Sequence, residues 1–394
     1  MTFEISRRGL LQTGALAAVA GFVPTRFAIG NTAKVKVGLM LPYSGTYAGL
    51  GEAIVNGFKQ AMAEGGGKLG GREVEYVPLD DESNPGKAPE NANKLVSGDK
   101  VDFLVGTVHS GVAMGMVKVV GESGTIMVIP NAGANAATGA MCLPNVFRTS
   151  FSNWQSTWPM GKVAIDRGMR KVVTITWKYA AGAEMVGSFV ESYTKLGGTV
   201  IEQIEVPFPN DEFQAYLTQI AAAKPDGVFT FFAGAGALKF VKDYAAAGLN
   251  SVQLMGPGFL TDGVLAGQGA AAEGVLTTLH YADALDTPAN KAFRAGYKAA
   301  YNKEADVYAV QGFDAAQVII KGMAAVKGDA SARPDLIAAM EKAEIVSPRG
   351  KFTFSKAHNP IQDIYLRQVK GGKEVVLGVA HAALADPAKG CKAV

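Results

Sequence analysis

The sequence predicts an α/β protein of two lobes, each built on a parallel sheet. Short apolar runs alternate with amphipathic helical stretches along most of the chain, which is the pattern of repeated β-α units. The length of 394 residues exceeds what one hydrophobic core normally supports. The 48% of apolar residues and the 48 glycines can fill two cores and supply the turns between their elements.

The first lobe is predicted to contain four strands that alternate with helices. Because strands joined by such crossover helices run parallel, their carboxyl ends share one edge of the sheet. Ligands of parallel sheets bind at that edge. The turns after Leu41, Gly106 and Pro130 belong to that edge. The predicted elements are a strand at Val35–Leu41, a helix carrying Ile54 to Met62, a strand at Glu73–Leu79, a helix at Ala88–Val96, a strand at Val101–Val105, a helix at Val112–Val120 and a strand at Thr125–Ile129.

The second lobe repeats this alternation further along the chain and is again expected to form a parallel sheet. Its last segment is read as extended without an assigned partner. The predicted elements are a helix at Trp154–Arg167, a strand at Lys171–Thr176, a helix at Gly182–Leu196, a strand at Thr199–Val206, a helix at Phe213–Ala222, a strand at Gly227–Phe232, a helix at Ala237–Ala247, a strand at Val252–Met255 and the extended segment Gly274–Tyr281.

Three helices follow without enough strands to build a sheet of their own, so they are expected to return and complete the first lobe. They span Ala289–Tyr301, Tyr308–Val326 and Pro334–Lys342, and strand-like segments at Gly350–Phe354, Ile361–Val369 and Glu374–Val379 end the pattern.

This return makes the chain cross between the lobes three times, near Thr149, His280 and Ser347. Each lobe is therefore assembled from separate stretches of sequence. The predicted lobes are residues 34–149 plus 281–347 for the first and residues 150–280 plus 348–394 for the second.

The first thirty residues are predicted to be an export leader. Arg7 and Arg8 precede the apolar run Ala15–Val23, which is too short to span a bilayer. The pattern resembles a twin-arginine signal with cleavage after Gly30, so the mature chain is expected in the periplasm. The three arginines and one glutamate of the leader account for +2 of the formal net charge of +3, and the remaining +1 does not indicate nucleic-acid binding.

The stretch Gly106–Ala113 is the predicted centre of a ligand site. It ends an apolar strand and opens a helix, so backbone N–H groups without intrahelical partners point out of the turn. The Ser110 hydroxyl stands beside them, and the positive end of the helix dipole favours a carboxylate there. His109 and Ser110 are not expected to form a catalytic pair, because adjacent side chains point apart. His109 is instead expected to donate a hydrogen bond at this turn.

The sequence carries no signature of catalysis, nucleotide binding or a metal centre. Ser110 lacks the Gly-x-Ser-x-Gly elbow of hydrolases, and the stretch Phe232–Ala237 lacks the third glycine of a dinucleotide fingerprint. The four histidines are scattered without an i, i+4 pair, which argues against a metal site. We therefore expect neither an enzyme nor a cofactor-dependent protein.

Two cysteines, Cys142 and Cys391, are too few for a disulfide scaffold and lack the spacing of a metal motif. An oxidising compartment allows one long-range disulfide between them. Two unpaired thiols are the alternative, and the sequence does not decide between these states.

Aromatic side chains gather in the predicted loops at the strand ends. They are Tyr43 and Tyr47 after the first strand, and Trp177 and Tyr179, Phe231 and Phe232, and Phe259 at strand ends of the second lobe. On edges that face each other across a cleft, they favour a flat apolar ligand, since stacking a ring contributes roughly 0.5–1.5 kcal/mol per pair beyond the area buried.

A family resemblance rests on four motifs that occur in order along the chain: Lys36–Gly45, Leu69–Arg72, Asp80–Pro85 and Phe147–Thr149. Together they resemble the type I periplasmic substrate-binding proteins of ABC importers, the leucine/isoleucine/valine-binding group. The resemblance runs from about Lys34 to Phe354. It implies two Rossmann-like lobes joined by three hinge strands, a monomer that closes on a small ligand, and delivery of that ligand to membrane permease subunits.

The family's binding residues fall on identifiable positions. The carboxylate-binding serine falls on Ser110, and the contacts in the turn after the next strand fall on Asn131 and Gly133. The aromatic residue of the second lobe falls on Tyr179.

Departures from the family pattern concern the ligand's amino group. Where amino-acid-binding members have a glutamate that pairs with the ligand ammonium, this chain has Gly258, followed by Phe259. Gly133 replaces a threonine, Leu50 replaces the tyrosine of the first loop, and Ala235 replaces a second tyrosine of the second lobe.

A buried ammonium without a carboxylate partner costs several kcal/mol, so these departures weaken the amino-acid reading. A carboxylate on a ring that fills the space vacated at Gly133, Ala235 and Gly258 suits the remaining groups better. The loops His109–Gly111, Asn131–Gly133 and Phe151–Trp154 also resemble members that bind aromatic acids.

The predicted ligand is therefore an aromatic acid of the benzoate or cinnamate type. Ser110 and the neighbouring N–H groups would bind its carboxylate, Tyr179 and Phe259 would contact its ring, and His109 or Asn131 would bind a polar substituent. The predicted ligand-binding residues are Tyr47, Leu50, His109, Ser110, Asn131, Ala132, Gly133, Tyr179, Ala235, Gly258 and Phe259.

Three alternatives remain open at the level of sequence. The first is binding of an amino acid or an amide by the same fold, with backbone carbonyls as hydrogen-bond acceptors for the ammonium. An exported enzyme that uses the cleft for catalysis and a ligand-reporting subunit of a sensor are the other two.

Overall fold

The computed structural model describes residues 33–393. The proposed leader lies outside these residues. Among the described residues no helix is both long enough and apolar enough to cross a membrane. The described chain forms two sheets covered by helices, which confirms the predicted α/β architecture.

The first sheet has the strand order β2-β3-β1-β4-β5-β6. All neighbouring strands are parallel except β2 and β3, which form an antiparallel pair. The central strands are fully buried, as expected for a parallel sheet with both faces covered. The strands are β1 (Val35–Leu41), β2 (Lys68–Leu69), β3 (Arg72–Asp80), β4 (Phe103–Val105), β5 (Ile126–Ile129) and β6 (Val146–Arg148).

The second sheet combines a parallel part with an antiparallel end. The order β8-β7-β9-β10-β11 is parallel, and β13 then pairs antiparallel with β11, β12 and β14. The strands are β7 (Lys171–Lys178), β8 (Thr199–Pro207), β9 (Gly227–Phe231), β10 (Gln253–Pro257), β11 (Leu276–Leu279), β12 (Thr353–Phe354), β13 (Pro360–Lys370) and β14 (Lys373–Leu384).

Helices cover both sheets. A π-helical turn at Lys94–Gly98 extends the second helix, and short 3-10 turns follow several strands. The α-helices are α1 (Ala48–Glu64), α2 (Ala88–Asn93), α3 (Ser110–Ser123), α4 (Asn153–Asp166), α5 (Ala180–Lys195), α6 (Gln214–Ala223), α7 (Gly234–Ala246), α8 (Leu265–Gln268), α9 (Pro288–Tyr301), α10 (Val307–Ala325) and α11 (Arg333–Glu341).

The returning helix α10 packs directly against α1 of the first lobe. Two glycines allow the backbones to touch: a Cβ on Gly57 would lie 1.8 Å from the carbonyl oxygen of Ala309, and a Cβ on Gly312 would lie 1.9 Å from that of Ile54. This close approach places the start of α10 beside the cleft between the two sheets.

Three connections run between the sheets: from β6 to α4, from β11 to α9, and from α11 to β12. They lie side by side and are joined by hydrogen bonds. The buried guanidinium of Arg349, on the third connection, donates to the carbonyl oxygens of Ser150 (2.8 Å) and Thr149 on the first. It also forms an ion pair with Asp314 at 3.1 Å. The ring of His280, on the second connection, stacks on Phe151 at 5.5 Å.

The strand count of the first sheet differs from the prediction, which had four strands. Strands β2 and β6 were missed because they contain only two and three residues, too few for a period to show. Strand β6 is nevertheless fully buried and pairs with β5.

A disulfide joins Cys142 to Cys391 across 249 residues of sequence. Cys142 follows the 3-10 turn at Asn135–Thr138, before β6, and Cys391 lies in the tail that follows β14. Ala388 and Cys391 of the tail pack against Cys142 and against Ala357, which lies between β12 and β13.

Candidate functional site

A cavity lies where the carboxyl ends of the two parallel sheets face each other, as expected for ligand sites in parallel sheets. Its empty space amounts to about 300 Å³, counting the part open to solvent. The residues that line it are Tyr47, Leu50, Val108, Ser110, Asn131, Gly133, Phe151, Asn153, Tyr179, Ala181, Met185, Phe231, Ala233, Phe259 and Tyr308.

The polar end of the cavity is the start of α3. The helix begins at Ser110, with His109 as the N-cap residue, whose Nδ1 accepts a hydrogen bond from the N–H of Gly111 at 3.0 Å. Ser110 is buried, and its hydroxyl oxygen accepts a long hydrogen bond of 3.4 Å from Asn153 Nδ2. The Ser110 proton therefore stays available as a donor, next to the positive end of the helix dipole.

Asn153 connects this end of the cavity to the second lobe. Its Nδ2 donates to Glu184 Oε2 at 2.7 Å, and the backbone N–H of Asn135 donates to the same carboxylate oxygen at 2.9 Å. Asn153 Oδ1 is buried and has no hydrogen-bond partner among the described residues. Glu184 itself does not line the cavity.

Aromatic rings form most of the remaining wall. Phe151 packs on Phe259 with ring centroids 4.7 Å apart, and Tyr308 lies 6.0 Å beyond Phe259. On the other side Tyr179 stacks on Phe231 at 6.1 Å. These rings come from both lobes, so a flat ligand between them would be contacted on two faces.

The two lobes touch at the cavity through a pair of tyrosines. The hydroxyls of Tyr47 and Tyr179 are 3.0 Å apart and share a hydrogen bond. Burial raises the pKa of both phenols. They therefore stay protonated and can act as donors at neutral pH.

No charged side chain lines the cavity among the described residues. The nearest acid by hydrogen bonding, Glu184, has its accepting oxygen occupied by Asn153 and Asn135. Burial raises the pKa of Glu184. The described residues also contain no cluster of His, Cys, Asp and Glu that could hold a metal ion.

Seven of the eleven predicted site residues border this cavity. They are Tyr47, Leu50, Ser110, Asn131, Gly133, Tyr179 and Phe259. The other four do not: Ala235 is exposed on α7, and His109, Ala132 and Gly258 lie behind the wall. The amide of Asn131 donates to Gln311 Oε1 at 2.6 Å, which uses one of its two N–H donors.

His109 uses Nδ1 as an acceptor, so the prediction that the imidazole donates a hydrogen bond now concerns Nε2 and stays a prediction. Nδ1 accepts from Gly111, and the ring packs between Tyr179 at 4.8 Å and Phe208 at 5.3 Å. Burial lowers the pKa of His109 to about 4, so the imidazole is neutral. Its role in the structure is to cap α3 and support the wall of the cavity.

The prediction that a ring fills space left at positions 133 and 258 was wrong. A Cβ on Gly133 would lie 2.1 Å from Asn153 Oδ1 and 2.6 Å from the Phe151 ring. A Cβ on Gly258 would lie 2.0 Å from the guanidinium of Arg367. Other side chains of this protein therefore occupy both spaces.

The Arg367 guanidinium fills the space beside Gly258. It is buried and pairs with Asp262 at 2.8 Å and with Glu374 at 2.8 Å. The carboxylates near this position are thus neutralised within the protein and do not face the cavity.

Sequence reasoning missed several residues of the cavity wall. Two of these residues, Asn153 and Tyr308, carry polar side-chain atoms. Asn153 and Phe151 stand in a loop that was singled out only for its resemblance to aromatic-acid-binding members. Tyr308 gave no signal, because it reaches the cavity only through the packing of α10 on α1. Met185 gave no signal beyond that of a core residue, whereas Phe231 belongs to the aromatic residues that the sequence places at the strand ends, although it was not among the predicted binding residues.

The fold and this site define a periplasmic binding protein. A sequence profile of the periplasmic binding protein family matches residues 34–374, and the chain belongs to that family. It is a substrate-binding protein of the kind that serves ABC transporters, and its relatives are not enzymes.

Particular relatives point to two kinds of ligand. A solute-binding protein of an ABC transporter from R. palustris, solved in complex with benzoate, is 54% identical with a TM-score of 0.90 and covers 91% of this chain and 100% of its own. A solute-binding protein from Rhodopseudomonas palustris HaA2, in complex with p-hydroxybenzoic acid, is 32% identical with a TM-score of 0.84 and covers 90% and 99%.

The Leu/Ile/Val-binding protein homolog 6 of Brucella melitensis biotype 1 is 34% identical over 343 residues, which cover 85% of this chain and 87% of that protein. Its name refers to branched-chain amino acids, whereas the two structures hold aromatic acids.

Proposed function

We propose that this protein captures an aromatic carboxylate of the benzoate type and delivers it to the permease subunits of an ABC importer. One observation carries the proposal: a cavity with a helix N-terminus and Ser110 at one end, aromatic rings along its sides and no charged side chain among the residues that line it. Such a cavity offers an anion site without a partner for an ammonium.

Different residues of the cavity are proposed to bind the carboxylate and the ring of the ligand. Ser110 and the free N–H groups at the start of α3 receive the carboxylate, where the helix dipole stabilises negative charge. Phe151, Phe259 and Tyr179 contact the ring. The relatives solved with benzoate and p-hydroxybenzoic acid support this choice of ligand.

A binding panel tests the proposal. Protein freed of bound ligand by unfolding and refolding is titrated with benzoate, 4-hydroxybenzoate, cinnamate, leucine, isoleucine and valine, and thermal midpoints are recorded. We expect the aromatic acids to raise the midpoint and the amino acids to leave it unchanged. Stabilisation by leucine, with none by the aromatic acids, would overturn the proposal.

A branched-chain amino acid or an amide is the second candidate. The unpartnered oxygen of Asn153 can accept a hydrogen bond from an ammonium or an amide N–H. The name of the Brucella relative also favours it. The same panel separates the two candidates.

Transport is proposed as the biological role. A strain that lacks the gene should lose uptake of radiolabelled benzoate at micromolar concentration, and unmodified ligand should be recovered from the purified complex. Chemical conversion of the recovered ligand would point to an enzyme instead. Loss of chemotaxis or gene induction with normal uptake would point to a sensor subunit. Sedimentation is expected to show a monomer.

Export by the twin-arginine route is proposed for residues 1–30. Replacing Arg7 and Arg8 by lysine should leave the unprocessed chain in the cytoplasm, and mass spectrometry of the exported protein should place the new N-terminus after Gly30. Unchanged export of the double variant would contradict this route.

A further inference from the structure

Two buried polar atoms of the cavity lack a hydrogen-bond partner among the described residues: Asn153 Oδ1 and the hydroxyl of Tyr308. Both residues line the cavity, and each is only 1% exposed. Buried polar groups in native proteins nearly always have hydrogen-bond partners. Two buried polar atoms that lack a partner and border a ligand cavity therefore indicate that groups on the ligand bind them.

The orientation of the Asn153 amide follows from Glu184. The Glu184 carboxylate can only accept hydrogen bonds when it is ionised, and its Oε2 lies 2.7 Å from Asn153 Nδ2. The backbone N–H of Asn135 donates to the same oxygen at 2.9 Å and holds the carboxylate in place. The NH₂ group of Asn153 must therefore face Glu184, which leaves the carbonyl oxygen for the cavity.

The position of that oxygen is set by Gly133. Asn153 Oδ1 occupies the space in which a side chain at 133 would stand, 2.1 Å from where a Cβ would be built. Gly133 itself lines the cavity, and Ser110 Oγ lies 3.4 Å from the Nδ2 of the same amide. An acceptor-only oxygen thus lies beside the carboxylate end of the site. It repels a carboxylate oxygen and needs a donor.

The Tyr308 hydroxyl is the second unpaired group. It comes from α10, whose N-terminus is capped by Asp306, and the Tyr308 ring lies 6.0 Å from Phe259. Because a phenol both donates and accepts, it can bind a hydroxyl or an amino group of either orientation.

We propose that the ligand is an aromatic acid that carries a hydrogen-bond donor on its ring, a hydroxyl or an amino group, and that Asn153 Oδ1 receives this donor. Glu184 acts as a positioning residue by holding the amide so that its oxygen faces the cavity, and the Tyr308 hydroxyl supplies a further contact. This inference rests on the proposed function and narrows it from benzoates in general to hydroxy- and aminobenzoates.

The test compares affinities by calorimetry for benzoate and the 2-, 3- and 4-isomers of hydroxybenzoate and aminobenzoate. We expect at least one substituted acid to bind 10-fold or more tightly than benzoate, because a site built to bind a donor rejects the analogue that lacks it. If benzoate binds as tightly as every substituted acid, this inference fails while the proposed function stands. If only leucine-type ligands bind, the proposed function itself fails.

Variants test the role of each group. Glu184→Leu removes the acceptor that orients the Asn153 amide, so the amide can turn and the preference for the substituted acid over benzoate should fall at least 5-fold. A merely structural role would weaken both ligands equally and would overturn the assignment. Glu191→Leu, on the same helix and at a position paired with the exposed Lys389, is the matched control.

Tyr308→Phe provides a second readout that keeps the core shape. Removing an unpaired buried hydroxyl should leave the protein at least as stable, so misfolding does not obscure the result. The substituted acid should lose more affinity than benzoate does. An unchanged ratio of the two affinities would show that the Tyr308 hydroxyl does not bind the ring substituent.

Discussion

The hydroxyl of Tyr47, from the loop after the first strand of one lobe, lies 3.0 Å from the hydroxyl of Tyr179 at the end of a strand in the other lobe. Both phenols line the ligand cavity. Their hydrogen bond joins the two lobes at the wall of this cavity.

Removing either phenol hydroxyl should weaken ligand binding. Tyr47→Phe or Tyr179→Phe leaves the other hydroxyl buried without its partner in the closed form, which costs about 1–3 kcal/mol, or roughly 5- to 150-fold in affinity. The double variant should cost less than the sum of the two, because the lost interaction is shared. Calorimetric titration of the three variants measures this, and strict additivity would show that the pair does not act together.

Ser110→Ala should weaken binding of the aromatic acid by about 10- to 150-fold, since a hydrogen bond to a charged group contributes about 1.5–3 kcal/mol. The helix should persist because its N-cap is His109. Ser123→Ala, at the far end of the same helix, is the control and should bind normally. If both variants bind the aromatic acid with equal affinity, Ser110 does not bind the carboxylate.

The buried His109 should make the protein less stable in acid. Its pKa is lowered by burial to about 4, below the value of about 6.5 in an unfolded chain, so the unfolded chain takes up the proton first. The stabilisation is complete above about pH 6.5 and is lost as the pH falls towards 4, by at most about 3 kcal/mol.

His109→Asn isolates this effect, because asparagine can still cap α3 but does not titrate. The difference in unfolding free energy between the wild type and this variant, measured in urea from pH 7.5 to 4.5, should shrink as the pH falls. A difference that does not change with pH would show that the imidazole is not held neutral.

Loss of the Cys142–Cys391 bond should lower the thermal midpoint. A link across 249 residues restricts the unfolded chain by about 5 kcal/mol in the chain-entropy account. The Cys142→Ser, Cys391→Ser protein should unfold earlier in calorimetry and should match the wild type treated with reductant. Mass spectrometry of the untreated wild type should gain two hydrogens on reduction, and no gain would show free thiols.

The fold could be predicted largely from the sequence because its signal is local. Each β-α unit carries its own period, so strands such as Val35–Leu41 and the returning helix at residues 307–325 were placed within a few residues. The strand at Val146–Arg148 was not predicted, because three residues are too few to show a hydrophobic periodicity. In the structure it pairs with β5 and is completely buried.

The site could be predicted only in part because half of its wall depends on distant packing. Ser110 and Tyr179 stand at strand ends, where the sequence itself points to a ligand edge. Tyr308 reaches the cavity only because Gly57 and Gly312 let two helices touch. Likewise, the orientation of the Asn153 amide depends on Glu184 from another helix, a relation that no local pattern encodes.

The bond between Cys142 and Cys391 makes the chain between them a covalent ring. That ring contains the whole second sheet and all three connections between the lobes. A protease that cuts once anywhere within it would therefore open the ring without releasing a fragment. The nicked protein should migrate as one species on a non-reducing gel and separate into two pieces only after reduction.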